Sequence, residues 1–249
     1  IGKGTIIGGR AVRPLAGSNN LFHSVIFGLD YKDFDQSVGF EDTFDTPIKY
    51  VNWTTGYTGV IFEGGREHNL NAFANAGVRG VVNEADQFTE NRQGTKPNYF
   101  YLRGSYDLLQ PTPLETAVFF RLSGQWTAQP LISNEQFSIG GVDTVRGFYE
   151  AEALGDLGVH ATVELRSPDF GVPFVEQVTR NYLFAFTEGG ALRNESTPNS
   201  SGEDRSVQLA SAGIGWRFEG LSLTGNLNWA RTLQAGPETP DGDDRLLFL

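Results

Sequence analysis

Few residues in this chain are spaced for bond-making chemistry. Its three histidines, His23, His68 and His160, fall in separate segments without HExxH or any other metal-ligand spacing. The serines lack a GxSxG elbow, and the absence of cysteine removes thiol nucleophiles, Cys-ligated zinc and disulfides. Gly140-Gly141 follows Ile139 without GxGxxG spacing, so it reads as a turn and not as a phosphate cradle. Paired carboxylates such as Glu41 with Asp42 read as solvated surface. The expectation is therefore no enzyme, no metal and no cofactor.

What the sequence does concentrate is charge of both signs at one parity. Arg79, Arg103, Asp107, Arg121, Glu164, Arg166, Glu188 and Arg217 occupy positions that alternate with apolar ones. Residues 116–126 put Val118, Phe120, Leu122 and Trp126 on one side, with Phe119, Arg121, Ser123 and Gln125 on the other. Residues 221–233 set Leu221, Leu223, Leu227, Trp229 and Leu233 against Ser222, Thr224, Asn226, Asn228 and Thr232, with Arg231 the exception near an end. Residues 70–78 split in the same way. One face suits lipid and the other water, because ionised groups left in hydrocarbon carry a large desolvation penalty.

Period-two segments recur near 4–14, 21–34, 48–62, 69–82, 98–109, 115–128, 157–168, 181–193, 206–218, 221–233 and 244–249, which predicts eleven strands. Their length of about ten residues or more exceeds the five or six typical of soluble β-sandwiches and propellers and is enough to cross a bilayer when tilted. Short connectors (16–20, 64–68, 110–114, 219–220) alternate with long polar ones, although 169–180 is longer than the rule expects. Transmembrane barrels have short periplasmic turns and longer external loops, with aromatic girdles for which Trp126 and Trp229 are candidates. Asp35–Thr46, Asn83–Pro97, Glu195–Arg205 and Gln234–Asp244 are then expected on the outer side.

Composition agrees with this class. No apolar run is long enough for a transmembrane helix, yet alternating barrel strands keep the average hydropathy low. A net charge of −11 disfavours nucleic acid as a partner. The chain begins at Ile1 with no signal sequence in view, so any such segment is expected upstream or already removed.

The longest connector, 129–156, carries Gly140-Gly141-Val142-Asp143-Thr144-Val145-Arg146-Gly147-Phe148, followed by Gly155-Asp156-Leu157-Gly158 and Glu164-Leu165-Arg166-Ser167-Pro168. In this setting the chain resembles the Omp85 superfamily of outer-membrane β-barrels. The fuller wording, from Ser133-Asn134-Glu135-Gln136-Phe137 onward, is most similar to the ShlB/FhaC/HecB branch, the transporters of two-partner secretion. The resemblance implies that residues 1–249 are the C-terminal part of a sixteen-stranded barrel, with 129–156 its sixth extracellular loop inserted in the lumen. Five strands follow the signature here, as in that superfamily, so earlier strands and the POTRA domains are expected outside this chain. A second family motif aligns with Phe186-Thr187-Glu188-Gly189-Gly190, with Glu188 where the usual residue is Asp.

Function then follows as an expectation from the resemblance: an outer-membrane transporter that passes a large exoprotein of the adhesin or cytolysin type, a TpsA-like partner, in extended form and without ATP. Its surroundings would be outer-membrane lipid and lipopolysaccharide. An insertase of the same superfamily and a diffusion porin are the alternatives. The loop-anchoring motif is Val145, Arg146, Gly147 and Phe148, and Arg146 is expected to fold back into the lumen and pair with Glu188 and Glu164. Parity alone puts Glu164 with His160, Thr162 and Arg166, opposite Val159, Ala161, Val163 and Leu165. A guanidinium can fork onto such carboxylates, Gly147 would let the backbone turn closely, and Phe148 would pack on the wall.

Overall fold

The structure, a computed structural model, describes residues 3–35, 37–38, 44–45, 47–170, 178–195, 206–220 and 223–248. The alternating segments are strands. In chain order they are β1 (Lys3–Pro14), β2 (Leu21–Asp35), the two-residue β3 (Ser37–Val38) and β4 (Phe44–Asp45), β5 (Ile48–Glu63) and β6 (Arg66–Gly77). Helix α1 (Ala85–Asn91) precedes β7 (Phe100–Pro111) and β8 (Ala117–Thr127), and then come the short β9 (Phe137–Ile139) and β10 (Ala153–Gly155). The chain continues through β11 (Leu157–Arg166), β12 (Val178–Arg193), β13 (Ser206–Gly220), β14 (Leu223–Thr232) and β15 (Asp244–Phe248).

Eleven of these strands form one antiparallel sheet in the order β1-β2-β5-β6-β7-β8-β11-β12-β13-β14-β15, so each long strand pairs with the next long strand along the chain. β1 and β15 are the two edges of this sheet. Because direction reverses at every step, the short connectors lie at one end and the long ones at the other. The two-residue turn Gly64-Gly65 between β5 and β6 has both φ values positive, which glycine adopts without steric cost.

Directly paired residues share a face, so the register shows what each face carries. Leu29, Trp53, Ala76 and Phe100 form one cross-strand row, and Leu165, Ala185, Ile214, Trp229 and Leu246 form another. The large side chains in both rows are exposed, as a surface meeting lipid requires. On the opposite face a single row runs Asp107, Arg121, Thr162, Glu188, Ser211 and Thr232 across six strands. Arg231, on the apolar side, pairs with Asp244 at 3.5 Å where both side chains are about half exposed, at the long-connector end. Trp126 lies at the end of β8 on the apolar face as a girdle residue would, whereas Trp229 sits three residues inside β14 in the middle of an apolar row.

One expectation needs correction. The strand predicted over 69–82 ends at Gly77, because the chain turns at Gly80 (φ +89°) and closes a local bridge between Arg79 and Asn83. Arg79 is therefore exposed beyond the sheet and does not line its polar face. Within the connector 83–97, expected on the outer side, α1 buries Phe88 completely against Tyr50 and Tyr99. One aromatic residue in an otherwise polar helix is too weak a signal to mark that helix in sequence. Asp35–Thr46 and Glu195–Arg205 fall mostly outside the described residues.

A buried arginine on the polar face

The 129–156 segment crosses the polar face as a hairpin. Its limbs β9 and β10 pair in antiparallel fashion (Phe137 with Gly155, Ile139 with Ala153), and the apex 140–152 extends beyond them. Val145 and Phe148 are buried in one apolar cluster with Phe137, Ile139, Leu192 and Leu209. Between them the Arg146 guanidinium is turned onto the sheet and is 3% exposed. Gly147 makes this turn possible, with φ +98° and its Cα facing Ala230 and Thr232, so that an added Cβ would meet both at 3.4 Å.

Arg146 is held by three side-chain acceptors, Glu188, Glu164 and Asn228. Its Nε and Nη2 both donate to Oε1 of Glu188, at 3.0 and 2.6 Å, while its backbone N–H donates to Oε2 of the same carboxylate at 2.7 Å. Nη2 also reaches Glu164 at 3.1 Å, and Nη1 reaches Oδ1 of Asn228 at 3.1 Å. Thr162 donates its hydroxyl to Glu188, and Arg166 clasps the second oxygen of Glu164 at 2.8 Å. Glu188 therefore binds side chain and backbone of Arg146 at once, a contact that parity could not foretell. Such a cluster tolerates burial only because every charge has a partner.

The second motif lies under the same group. The Phe186 ring centroid is 3.5 Å from the Arg146 guanidinium, a cation–π contact on its flat face, while its N–H groups donate in the plane. Gly190 faces Ile139 of the loop, and a Cβ there would come to 3.0 Å from that side chain. Glu188, where the resembled motif has Asp, still reaches Arg146.

The remaining candidates occupy the polar face without converging on Arg146. Arg121 forks onto Asp107 at 2.8 and 2.9 Å, and Arg217 donates to the Tyr182 hydroxyl at 2.9 Å. Arg103 donates to Gln125 at 2.8 Å and to the backbone oxygens of Glu135 and Gln136 in the ascending limb.

Three further anchors carry no signal in charge parity. Glu135, 2% exposed, accepts from Lys32 Nζ, the Tyr50 hydroxyl and the Tyr101 hydroxyl at 2.5, 2.5 and 2.6 Å. Asp156 is fully buried and accepts from Arg92, from the backbone of Leu131 and Glu195, and from Gln136. Glu152 gathers the hydroxyl of Thr239 and the backbone N–H groups of Tyr149, Glu238 and Thr239. Burial pushes the Glu152 carboxyl up, but these donors outweigh it and hold the group below its ordinary range. Glu135 and Asp156 stand in the SNEQF and GDLG strings, so family wording was available for both although no role was.

A long-stranded antiparallel meander with an apolar exposed face, a charged face and a hairpin laid across that face defines a β-barrel wall of the outer-membrane type. Residues 48–218 match the family described as haemolysin secretion/activation protein ShlB/FhaC/HecB, and the chain belongs to that family. The outer membrane transporter CdiB of Dickeya dadantii is 28% identical over 134 residues, 53% of this chain and 23% of that protein. Among solved structures, CdiB from Escherichia coli superposes with a TM-score of 0.79 at 19% identity, covering 99% of this chain and 45% of that one. CdiB from Acinetobacter baumannii gives 0.71 at 18%, with 99% and 41% covered. BamA from Haemophilus ducreyi gives 0.67 at 12%, with 100% and 54% covered, a likeness of fold. The chain thus spans about half or less of each of these relatives.

Proposed function

We propose that this chain is the C-terminal part of an outer-membrane barrel of about sixteen strands, starting near the sixth, and that the whole protein exports a large exoprotein of the adhesin or cytolysin type. The exoprotein passes in extended form and without ATP. The polar face is then the lumen wall, the apolar face meets lipid and lipopolysaccharide, and the long connectors are external. Membership of a secretion family, with the relative called an outer membrane transporter, supports export over insertion of other barrel proteins. Against a diffusion porin stands the hairpin, which crosses the polar face and is fixed there by charge.

The burial of Arg146 against Glu188 and Glu164 is the observation that carries this reading. It makes Val145–Phe148 a loop anchor inside the lumen. In the full-length protein, Arg146→Ala is expected to abolish release of the exoprotein while the barrel still inserts and migrates as folded. Arg146→Lys is expected to restore part of it, since an ammonium keeps the charge but not the several directed donors. Wild-type secretion by the alanine variant would end the anchoring role.

A further inference from the structure

His160 has no direct bond to Arg146, yet it is 1% exposed beside the anchor. It stands on the polar face of β11, paired with Ser123 of β8 and Gly190 of β12, and the next position on that face carries the row Arg121, Thr162 and Glu188. Its Nε2 lies 3.1 Å from the Thr162 hydroxyl and its Nδ1 lies 3.3 Å from the Ser123 hydroxyl. The Thr162 hydroxyl is in turn 3.1 Å from Oε1 of Glu188. The backbone of Thr144, just before Arg146 in the hairpin, also faces the ring, as do the guanidiniums of Arg121 and Arg146.

Counting donors fixes the tautomer of this ring. A carboxylate paired with a guanidinium only accepts, so Thr162 spends its single hydroxyl hydrogen on Glu188. The Thr162 oxygen is then left to accept, and Nε2 carries the hydrogen that it takes. Nδ1 of the neutral ring accepts from Ser123. A cationic ring would stand beside two guanidiniums, so the neutral form is the one that fits. The hydrogens of Ser123, His160 and Thr162 thus all point toward Glu188, and they end on a crowded oxygen, since Oε1 also takes Nε and Nη2 of Arg146. A threonine hydroxyl rotates to suit whatever acceptor is near, and a fixed donor behind it removes that freedom.

We propose that His160 is a positioning residue of the loop anchor: its Nε2–H occupies the Thr162 oxygen, which leaves the Thr162 hydroxyl hydrogen for Glu188 and holds that carboxylate in the orientation that takes both the side chain and the backbone N–H of Arg146. His160 acts on Arg146 through Thr162 and Glu188 and not by filling space. The inference rests on the anchoring reading of Arg146, and it adds to the anchor a residue that lies in neither VRGF nor the stretch from Phe186 to Gly190.

The test uses the full-length protein carrying one cysteine, introduced at the apex as Val142→Cys, and reads the rate at which a water-soluble maleimide labels it. Glu188→Ala sets the rate of a released apex. His160→Leu is expected to raise labelling about tenfold, the size of one hydrogen bond to a charged group. His160→Gln recovers most of that, since its amide N–H can take the place of Nε2–H. In a Thr162→Val background His160→Leu adds nothing, because the group it acts through is already gone. An unchanged heat-modifiable band shows that the barrel is folded; should His160→Leu lose it, Thr162→Val alone carries the test and loosens the apex by the same factor. Labelling of His160→Leu or Thr162→Val as slow as wild type, His160→Gln as fast as His160→Leu, or a full effect of His160→Leu in the Thr162→Val background overturns the proposal. Slow labelling of Glu188→Ala would remove the anchoring reading of Arg146 itself, and the proposal with it.

Discussion

The apex of the 129–156 hairpin and its ascending limb lie on the same sheet face but are held by different chemistry. At the apex, Arg146 meets two carboxylates and an amide from β11, β12 and β14. In the ascending limb, Glu135 meets one ammonium and two phenols from β2, β5 and β7, beside an apolar cluster of Ile48, Tyr50, Phe88, Tyr99, Tyr101, Leu131 and Ile132. Apolar packing is present at both ends, since Val145 and Phe148 flank Arg146 in a buried cluster with Phe137, Ile139, Leu192 and Leu209, so the difference lies in the polar groups: a buried guanidinium between two carboxylates at the apex, and one carboxylate shared by an ammonium and two phenols in the limb. Loss of one partner therefore leaves an uncompensated buried charge at the apex, and in the limb an ammonium that is partly exposed.

The largest test of this contrast is Glu188→Ala. It strips Arg146 of three of its hydrogen bonds, and breaking a buried pair in this way costs about 3–5 kcal/mol. Hydrogen exchange should rise across 140–152 and stay slow across 131–137. Equal loosening of both segments would show that apex and limb are one unit.

Glu135→Ala comes next, at about 1.5–3 kcal/mol, the worth of hydrogen bonds to a charged group. Lys32, whose side chain is 17% exposed, can turn to water, which spares part of the loss. Exchange should now rise across 131–137 while Arg146 keeps its partners. Secretion that falls further here than in Glu188→Ala would reverse this ranking of apex and limb.

The smallest effect is expected at Glu152, which ties the returning limb to the 233–243 connector. Its carboxyl is held low in the folded protein, so its contribution is complete above the ordinary value of 4.5 and is lost as pH falls through the lowered one. Proteolysis within 233–243 should therefore quicken below that pH, and Glu152→Gln should already be quickened at neutral pH and change little on acidification. A wild-type connector equally resistant at both pH values would remove Glu152 as a tie.

Much of the wall was legible in the sequence because a strand repeats every two residues: parity assigns a face without knowledge of any partner. Glu164, Arg166, Glu188, Arg121 and Asp107 could be placed on one face from that rule, and the eleven strands could be counted. The rule failed at Arg79, where the segment had stopped being a strand, since parity is blind to where pairing ends.

What the sequence by itself determined is the two-faced sheet and the family motifs, VRGF in the loop and Phe186 to Gly190 in β12. The tertiary structure decided the rest: the backbone N–H of Arg146 on Glu188, Glu135 among residues from three distant strands, Asp156 on Arg92, and Arg217 on the Tyr182 hydroxyl. The physical reason is that face follows from local geometry, whereas a hydrogen bond depends on where two remote segments are brought together to within about 3 Å, a condition set by register and packing and by no single stretch of chain.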